Sequence, residues 1–194
     1  MNQRLPVAIL ISGRGSNMEG LIRAAADPAY PAQICLVLSN NPDAPGLQTA
    51  RAAGIAALAI DHRPFGRNRA AHEQALNTAL HAHNAQAICL AGYMRVLTPY
   101  LVRAWQGRML NIHPSLLPAL PGLNTHARAL QSGLTEHGCT VHLVTEGVDE
   151  GPILAQAAVP ILPNDDEAAL AARVLAVEHL LYPRALAAFA ESHG

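Results

Sequence analysis

The stretch Leu5-Pro-Val-Ala-Ile-Leu-Ile-Ser-Gly-Arg-Gly-Ser-Asn17 joins a continuous apolar run to a glycine-containing turn. The helical spacing of Met18, Leu21, Ile22 and Ala25 follows it directly. A continuous apolar run is typical of a parallel strand that is buried on both faces. Strand, turn and helix in this order form the repeating unit of α/β proteins. The stretch therefore predicts an α/β fold.

The same alternation recurs as far as residue 112. Further apolar runs cover Ile34–Ser39, Ala56–Ile60, Ala87–Ala91 and Met109–Ile112, and helical patterns cover Leu47–Ala53, Ala70–His83 and Pro99–Trp105. Short connections between such units predict a doubly wound, mostly parallel sheet.

The last third of the chain has a different pattern. After a short helix over Thr125–Gln131, the apolar runs Cys139–Val144 and Ile153–Ile161 follow each other with only a loop between them. Consecutive strands without a helix indicate an antiparallel hairpin. The spacing over Asp165–Ala188 predicts one long amphipathic helix. We therefore expect a parallel sheet with an antiparallel C-terminal extension and a long C-terminal helix, all in one domain spanning residues 1–194.

Composition limits the classes of function. The 194 residues are 51 % hydrophobic and 14 % charged, which suffices for one buried core, and the net charge of −1 argues against a nucleic-acid or membrane-surface protein. Cys35, Cys89 and Cys139 lie in apolar runs, so we expect reduced core residues rather than disulfides or a metal site. With no leader and no spanning run in the sequence, we expect a cytoplasmic protein.

The glycine turn is a candidate anion site. Gly13 and Gly15 would let the backbone approach a phosphate, and Ser16 or Asn17 would cap the helix. Position 18 is Met, so the turn is not a G-x-G-x-x-G dinucleotide motif. The pattern fits a single phosphate and an ordinary strand-to-helix turn about equally well.

A second candidate follows the strand at Met109. Asn111 and His113 are two residues apart, so a strand would project both to the same side. Prolines at 114, 118 and 121 stiffen the loop that follows. Asn and His N–H groups held side by side suit a developing oxyanion, although a proline-rich turn with a solvated His is the alternative. Arg95 also follows a strand, and its convergence with the glycine turn and these two residues at one sheet edge favours the oxyanion site.

Other polar residues have two readings each. Asp149, beside apolar Val148 and a Gly-Pro turn, would have a raised pKa and act as a base, or be an exposed turn residue. His142 would hydrogen-bond a carboxylate or be an ordinary sheet histidine, and Glu178 would contact a ligand or lie at the helix edge. Arg63, Arg67 and Arg69 would bind a carboxylate or be solvated.

Seven motifs carry a resemblance to a known family. They are Ile11-Ser-Gly-Arg-Gly-Ser-Asn17, Gly92-Tyr-Met-Arg95, Asn111-Ile-His-Pro-Ser-Leu-Leu-Pro118, Pro121-Gly-Leu-x-Thr-His126, His137-Gly-x-x-Val-His142, Asp149-x-Gly-Pro152 and Glu178-His-x-x-Tyr-Pro183. In this order they resemble the phosphoribosylglycinamide formyltransferase family of folate-dependent enzymes. The resemblance implies transfer of a formyl group from 10-formyltetrahydrofolate to the amine of 5-phosphoribosylglycinamide, a step of purine biosynthesis, through a tetrahedral intermediate and without a metal.

The resemblance also implies residue roles. The catalytic residues would be Asn111, His113 and Asp149, with His142 in support. The substrate phosphate would bind Arg14, Gly15, Ser16 and Asn17, and the ribose would bind Glu178. The folate would contact Arg69, Arg95, Val96, Leu97 and Asn111.

These roles divide the chain into two halves. Residues 1–110 would form a phosphate-binding parallel half, and residues 111–194 a catalytic and folate-binding half. We expect a monomer or homodimer that acts on small molecules, not on nucleic acid or at a membrane. A hydrolase that passes the formyl group to water and a binding protein with a retained fold are the alternatives.

Overall fold

The structure, a computed structural model, describes residues 4–193. The strands are β1 Leu5–Ile11, β2 Ala32–Ser39, β3 Ala57–Ala59, β4 Ala87–Leu90, β5 Met109–His113, β6 Glu136–Leu143 and β7 Ile153–Pro160. The helices are α1 Ser16–Ala25, α2 Pro45–Ala52, α3 Arg69–Ala82, α4 Pro99–Ala104, α5 Thr125–Gln131 and α6 Glu167–Glu191. A 3₁₀ turn covers Arg63–Phe65, inside the segment that the sequence predicts as a basic loop.

All seven strands form one sheet in the order β3-β2-β1-β4-β5-β6-β7. Strands β1 to β5 pair in parallel, and β6 and β7 extend the sheet in antiparallel pairing. The order reverses at β1, because β2 and β3 lie on one side of it and β4 and β5 on the other. The prediction of a doubly wound, mostly parallel sheet with an antiparallel extension and a long last helix is confirmed.

The sheet is buried on both faces because alternate residues of its central strand enter different cores. Val7, Ile9 and Ile11 of β1 pack in the core that includes residues of α1, α2, α5 and α6. Ala8 and Leu10 face the other core, which includes residues of α3 and α4 and the fully buried Trp105. This period-two division explains why β1 reads as a continuous apolar run rather than as an alternating one.

The long helix α6 is fixed to the sheet at β4 and β5. The Tyr182 hydroxyl lies 3.1 Å from the carbonyl oxygen of Leu90 in β4 and 3.0 Å from that of Leu110 in β5. Pro183 has no N–H, so the His179 carbonyl lacks its usual partner within the helix. Gly20 of α1 packs against that carbonyl, since an added Cβ would lie 3.4 Å from it. Helices α1 and α6 therefore touch one turn away from Tyr182.

Element ends differ from the predicted ones by one to three residues. Helix α6 begins at Glu167 rather than at Asp165, because Asp166 caps it by accepting from the Ala169 N–H at 2.7 Å. Strand β6 begins at Glu136, three residues before the predicted start at Cys139, since its pairing with β7 runs as far as Pro160. These differences leave the order of elements unchanged.

Candidate active site

The carboxyl ends of β1 and β4 open onto one cavity. It has a volume of about 320 Å³ and is lined by Ser12, Gly13, Arg14, Gly15, Ser16, Asn17, Ala91, Gly92 and Met94. The Ser12 N–H donates to the Gly92 carbonyl at 3.1 Å, which holds the two loops together. The predicted phosphate loop thus forms one wall, and the loop before Arg95 forms the other.

The N-terminus of α1 has no side-chain cap. Gly15 occupies the cap position with φ 70°, and no side chain accepts a hydrogen bond there. The prediction that Ser16 or Asn17 caps this helix is therefore wrong. A left-handed glycine turns the chain into the helix without a side chain. The first N–H groups of the helix stay available to an anion, and the helix dipole favours negative charge there.

Helix α2 supports this loop from behind at Gly46. Its N–H donates to the Gly13 carbonyl at 3.2 Å. A Cβ added at Gly46 would lie 2.7 Å from the Arg14 carbonyl oxygen and 2.9 Å from that of Gly13. Only glycine allows the helix to approach the loop so closely.

We expect Gly46→Ala to weaken the binding of inorganic phosphate by about tenfold, because the clash with two backbone oxygens displaces the loop at a cost of about 1–3 kcal/mol. Isothermal titration calorimetry would measure this affinity. Gly54→Ala is the control, since Gly54 has φ 76° in open space. That variant should lose stability but keep phosphate affinity. Equal affinity in Gly46→Ala and the wild type would contradict the prediction.

Asn17 connects the loop to the last helix. Its Nδ2 donates to Glu178 Oε2 at 2.8 Å. Its Oδ1 is buried and has no hydrogen-bond partner among the residues that the structure describes. Burial raises the pKa of Glu178, and the Asn17 hydrogen bond partly opposes this rise. The structure thus brings the predicted phosphate and ribose residues together, with one polar atom unpaired.

The second group of predicted residues meets across β5 and β6. Asn111 lies opposite His142 in the antiparallel ladder, and its Nδ2 is 3.2 Å from His142 Nε2. His142 Nδ1 lies 2.9 Å from the Leu143 carbonyl oxygen, so it donates there, and in that tautomer Nε2 accepts from Asn111. This arrangement orients the amide and leaves its second N–H hydrogen free. This contact with the Asn111 amide is one that neither reading of His142 anticipated.

Asp149 contacts both histidines. Its Oδ2 lies 3.3 Å from His113 Nδ1, and its Oδ1 lies 3.6 Å from His142 Nε2. The other nitrogen of His113, Nε2, is 3.0 Å from the Leu120 carbonyl oxygen. Both ring nitrogens of His113 therefore face oxygen acceptors. Asn111, His113 and Asp149 form one group, as the sequence predicts.

The prediction that Asp149 has a raised pKa is wrong. Burial raises it, but the Gly122 N–H hydrogen bond and the nearby His142 and His113 together lower the pKa of Asp149 below its ordinary value. The side chain is 11 % exposed rather than being a solvated turn residue. Asp149 is therefore ionised at neutral pH.

The loop after His113 is fixed by side chains that the sequence analysis did not single out. Thr140 Oγ1 donates to the Ser115 carbonyl at 2.6 Å and accepts from the Leu117 N–H at 3.0 Å. Gln156 Nε2 donates to the Leu117 carbonyl at 2.8 Å. The three prolines indicated a stiff loop, but no local pattern indicated that a strand hairpin fixes its course.

The residues predicted to contact a folate lie beside the cavity. Arg69, the first residue of α3, donates from Nη1 to the Val96 carbonyl at 3.1 Å. Val96 is 62 % exposed, while Arg95 and Leu97 are half-buried. The loop is anchored at Met94, whose N–H donates to Ser12 Oγ at 2.8 Å. An exposed apolar loop beside an arginine is a surface on which a flat ring with an acidic tail fits.

Of Arg63 and Arg67, one has a carboxylate partner within the protein. Arg63 pairs with Asp61 at 2.9 Å and stays exposed to solvent. Arg67 is exposed.

His137 lies behind the site and has a lowered pKa. It is 2 % exposed, and its Nε2 is 3.1 Å from His126 Nδ1. Burial, with the charges of His126 and His113, lowers the pKa of His137 from 6.5 to about 4. The two histidines are therefore neutral in the folded state.

This shift predicts acid sensitivity. The unfolded histidine takes up a proton near pH 6.5 and the folded one only near pH 4, so the stability is complete above 6.5 and falls as the pH drops to about 4. At about 1.4 kcal/mol per pH unit the loss is about 3 kcal/mol. Urea unfolding of His137→Gln should show a smaller loss between pH 7 and 4.5 than the wild type. Equal losses would contradict this.

Among residues 4–193, no group of three or more His, Cys, Asp or Glu side chains could hold a metal ion. Within the same residues, no helix has the length and apolarity to span a membrane.

Comparison with known proteins identifies relatives over nearly the whole chain. The family model described as formyl transferase matches residues 5–186. The trifunctional purine biosynthetic protein adenosine-3 of Drosophila melanogaster is 52 % identical over 187 residues, which make up 95 % of this chain and 14 % of that protein. The chain thus spans about one seventh of the length of that relative.

Relatives of similar length also match. The phosphoribosylglycinamide formyltransferase of Escherichia coli (strain K12) is 42 % identical over 185 residues, covering 95 % of this chain and 87 % of that one. The crystal structure of phosphoribosylglycinamide formyltransferase from Brucella melitensis superposes with a TM-score of 0.92 at 56 % identity, covering 97 % of this chain and 96 % of that one.

Proposed function

The chain belongs to the formyl transferase family, and we propose that it transfers a formyl group from 10-formyltetrahydrofolate to the amine of 5-phosphoribosylglycinamide, in purine biosynthesis. The observation that carries this proposal is the group of Asn111, His113 and Asp149 at the same sheet edge as an uncapped, glycine-rich helix N-terminus. Such an edge offers one place for a phosphate and another for acyl-transfer chemistry. The names of the two formyltransferases above support the choice of substrate.

In this proposal the substrate phosphate binds at the N-terminus of α1 and the ribose binds at Glu178. The backbone N–H groups of Gly15, Ser16 and Asn17 bind the phosphate with the help of the helix dipole, and Arg14 adds positive charge. Its guanidinium is largely exposed, with only Glu19 at 3.9 Å, and can turn to a ligand. Glu178, buried beside Asn17, accepts the ribose hydroxyls.

The chemistry follows from the second group. The substrate amine attacks the formyl carbon, a C–N bond forms, and the formyl oxygen becomes an oxyanion in a tetrahedral intermediate. Asn111 donates its free amide hydrogen to that oxyanion, and His113 supplies positive charge. Asp149, directly or through a water, takes the proton from the attacking nitrogen. It passes this proton to the folate nitrogen as the bond between that nitrogen and the formyl carbon breaks.

The folate is a cosubstrate, and the residues present fit it. The exposed loop of Arg95, Val96 and Leu97 offers backbone groups and an apolar surface for the pterin, and Arg69 lies beside it for the glutamate tail. Asn111 would contact the formyl end. No metal enters this mechanism, because the proton and the oxyanion have protein partners.

The remaining assignments complete the proposal. Residues 1–110 form the phosphate-binding parallel half and residues 111–194 the catalytic half, although Arg69 and the segment 95–97 bring folate contacts into the first half. We place the protein in the cytoplasm, as a monomer or homodimer acting on small molecules, without nucleic acid or membrane. The nearly balanced charge supports this assignment.

A spectrophotometric assay tests the function. The formyl donor 10-formyl-5,8-dideazafolate is mixed with the protein, with and without 5-phosphoribosylglycinamide. Deformylation that depends on the ribonucleotide is the expected result. Equal deformylation without it would instead establish a hydrolase. No deformylation by folded protein in either reaction would favour a binding protein.

A further inference from the structure

A guanidinium lies across the loop from Asp149. Arg128, in the last turn of α5, donates from Nη1 to the Pro121 carbonyl at 2.6 Å and, more weakly, to the Leu123 carbonyl at 3.3 Å. The Gly122 N–H between these two carbonyls donates to Asp149 Oδ2 at 2.9 Å. One short segment therefore has a cation on one side and the candidate base on the other.

Peptide geometry couples the two contacts. The Pro121 carbonyl and the Gly122 N–H belong to one trans peptide unit, so they point in opposite directions in one plane. The hydrogen bond from Arg128 to that carbonyl therefore fixes the direction of the N–H toward Asp149. A cation at the oxygen also polarises the peptide and makes its N–H a stronger donor.

The same segment has an unusual backbone. Gly122 has φ 80°, and the non-glycine residues Leu120 and Asn124 have φ 54° and 56°. A left-handed conformation is unfavourable for a non-glycine residue and persists only where the surroundings hold it. Arg128 provides this support, since its side chain holds two carbonyls and its own N–H donates to the Asn124 carbonyl at 3.0 Å.

We propose that Arg128 is a positioning residue for the reaction, which acts through the Pro121–Gly122 peptide to aim the Asp149 carboxylate at the reacting amine. This inference rests on the proposed function, in which Asp149 is the base.

Several charged and polar groups surround Asp149 and influence its titration. His113 faces it from β5 and His142 from β6, and Gly122 donates from the loop. On its own loop, Glu146 pairs with Arg103 at 2.6 Å, and Glu150 is the next residue. Since the Gly122 hydrogen bond helps to lower the pKa of Asp149, loosening it should raise that pKa.

The test combines kinetics with nuclear magnetic resonance on full-length Arg128→Ala, Arg128→Lys and the wild type. We expect the Gly122 amide signal of Arg128→Ala to titrate with a midpoint about half a unit to one unit higher, and its hydrogen exchange to be about tenfold faster. The acid limb of kcat should move by the same amount, so that the loss of activity grows as the pH falls. Arg128→Lys, which keeps the charge, should be intermediate.

The control is Arg51→Ala. Arg51 also donates from a helix to a backbone carbonyl, that of Ala57 at 3.0 Å, on the β3 side of the sheet. It should leave the Gly122 signal and the pH profile unchanged. An Arg128→Ala protein with an unmoved midpoint and acid limb, whatever its kcat, overturns the proposal. The Gly122 titration needs no turnover, so it tests the contact even if the wild type transfers no formyl group.

Discussion

Asp149→Asn is expected to lower kcat by about 10³-fold while leaving the affinity for 5-phosphoribosylglycinamide within about threefold of the wild type. Asparagine has the same shape and still accepts the Gly122 N–H hydrogen bond. It cannot take a proton at neutral pH. The proposed phosphate and ribose contacts are on α1 and α6, so they should not change.

Steady-state kinetics and calorimetry with the ribonucleotide would measure the two effects. Asp165→Asn is the matched control, because Asp165 is also a loop carboxylate, paired with Arg173 at 2.6 Å rather than with any residue of the site. It should turn over normally. An Asp149→Asn enzyme with a kcat within tenfold of the wild type would remove Asp149 from the mechanism.

The sequence predicted the parts of the site that depend on local patterns. The side-chain alternation of a strand placed Asn111 and His113 on the same side, and the repeat of strands and helices brought the glycine loop to the same sheet edge. Both predictions follow from the spacing of neighbouring residues and from the common direction of parallel strands.

The environment of Asp149 could not be predicted in this way. Its apolar neighbours in sequence indicated a raised pKa. The groups that lower it include the Gly122 N–H, which is 27 residues away, and the histidines of β5 and β6. Likewise, the clamp by Arg128 depends on α5 lying against the loop that precedes it. Long-range hydrogen bonds of this kind leave no periodic signal in the chain.

Asn111→Ala is expected to lower kcat by about 10²- to 10³-fold, since it removes one donor to the oxyanion. The KM for the ribonucleotide should change little, because the proposed phosphate site is at α1. Gln33→Ala is the control, an exposed amide on β2 with no side-chain hydrogen bond in the part of the chain described. A loss below tenfold would show that Asn111 is not an oxyanion donor.

The contact between Asn111 and His142 makes a stronger claim, which a double-mutant cycle can test. If His142 acts by orienting the Asn111 amide, His142→Phe should lower kcat in the wild type but far less in the Asn111→Ala background, with a coupling of about 1 kcal/mol or more. His142→Gln, which keeps an acceptor for the amide, should recover part of the loss. Additive effects would mean that His142 acts through Asp149, its other neighbour at 3.6 Å, and that the amide orients itself without it.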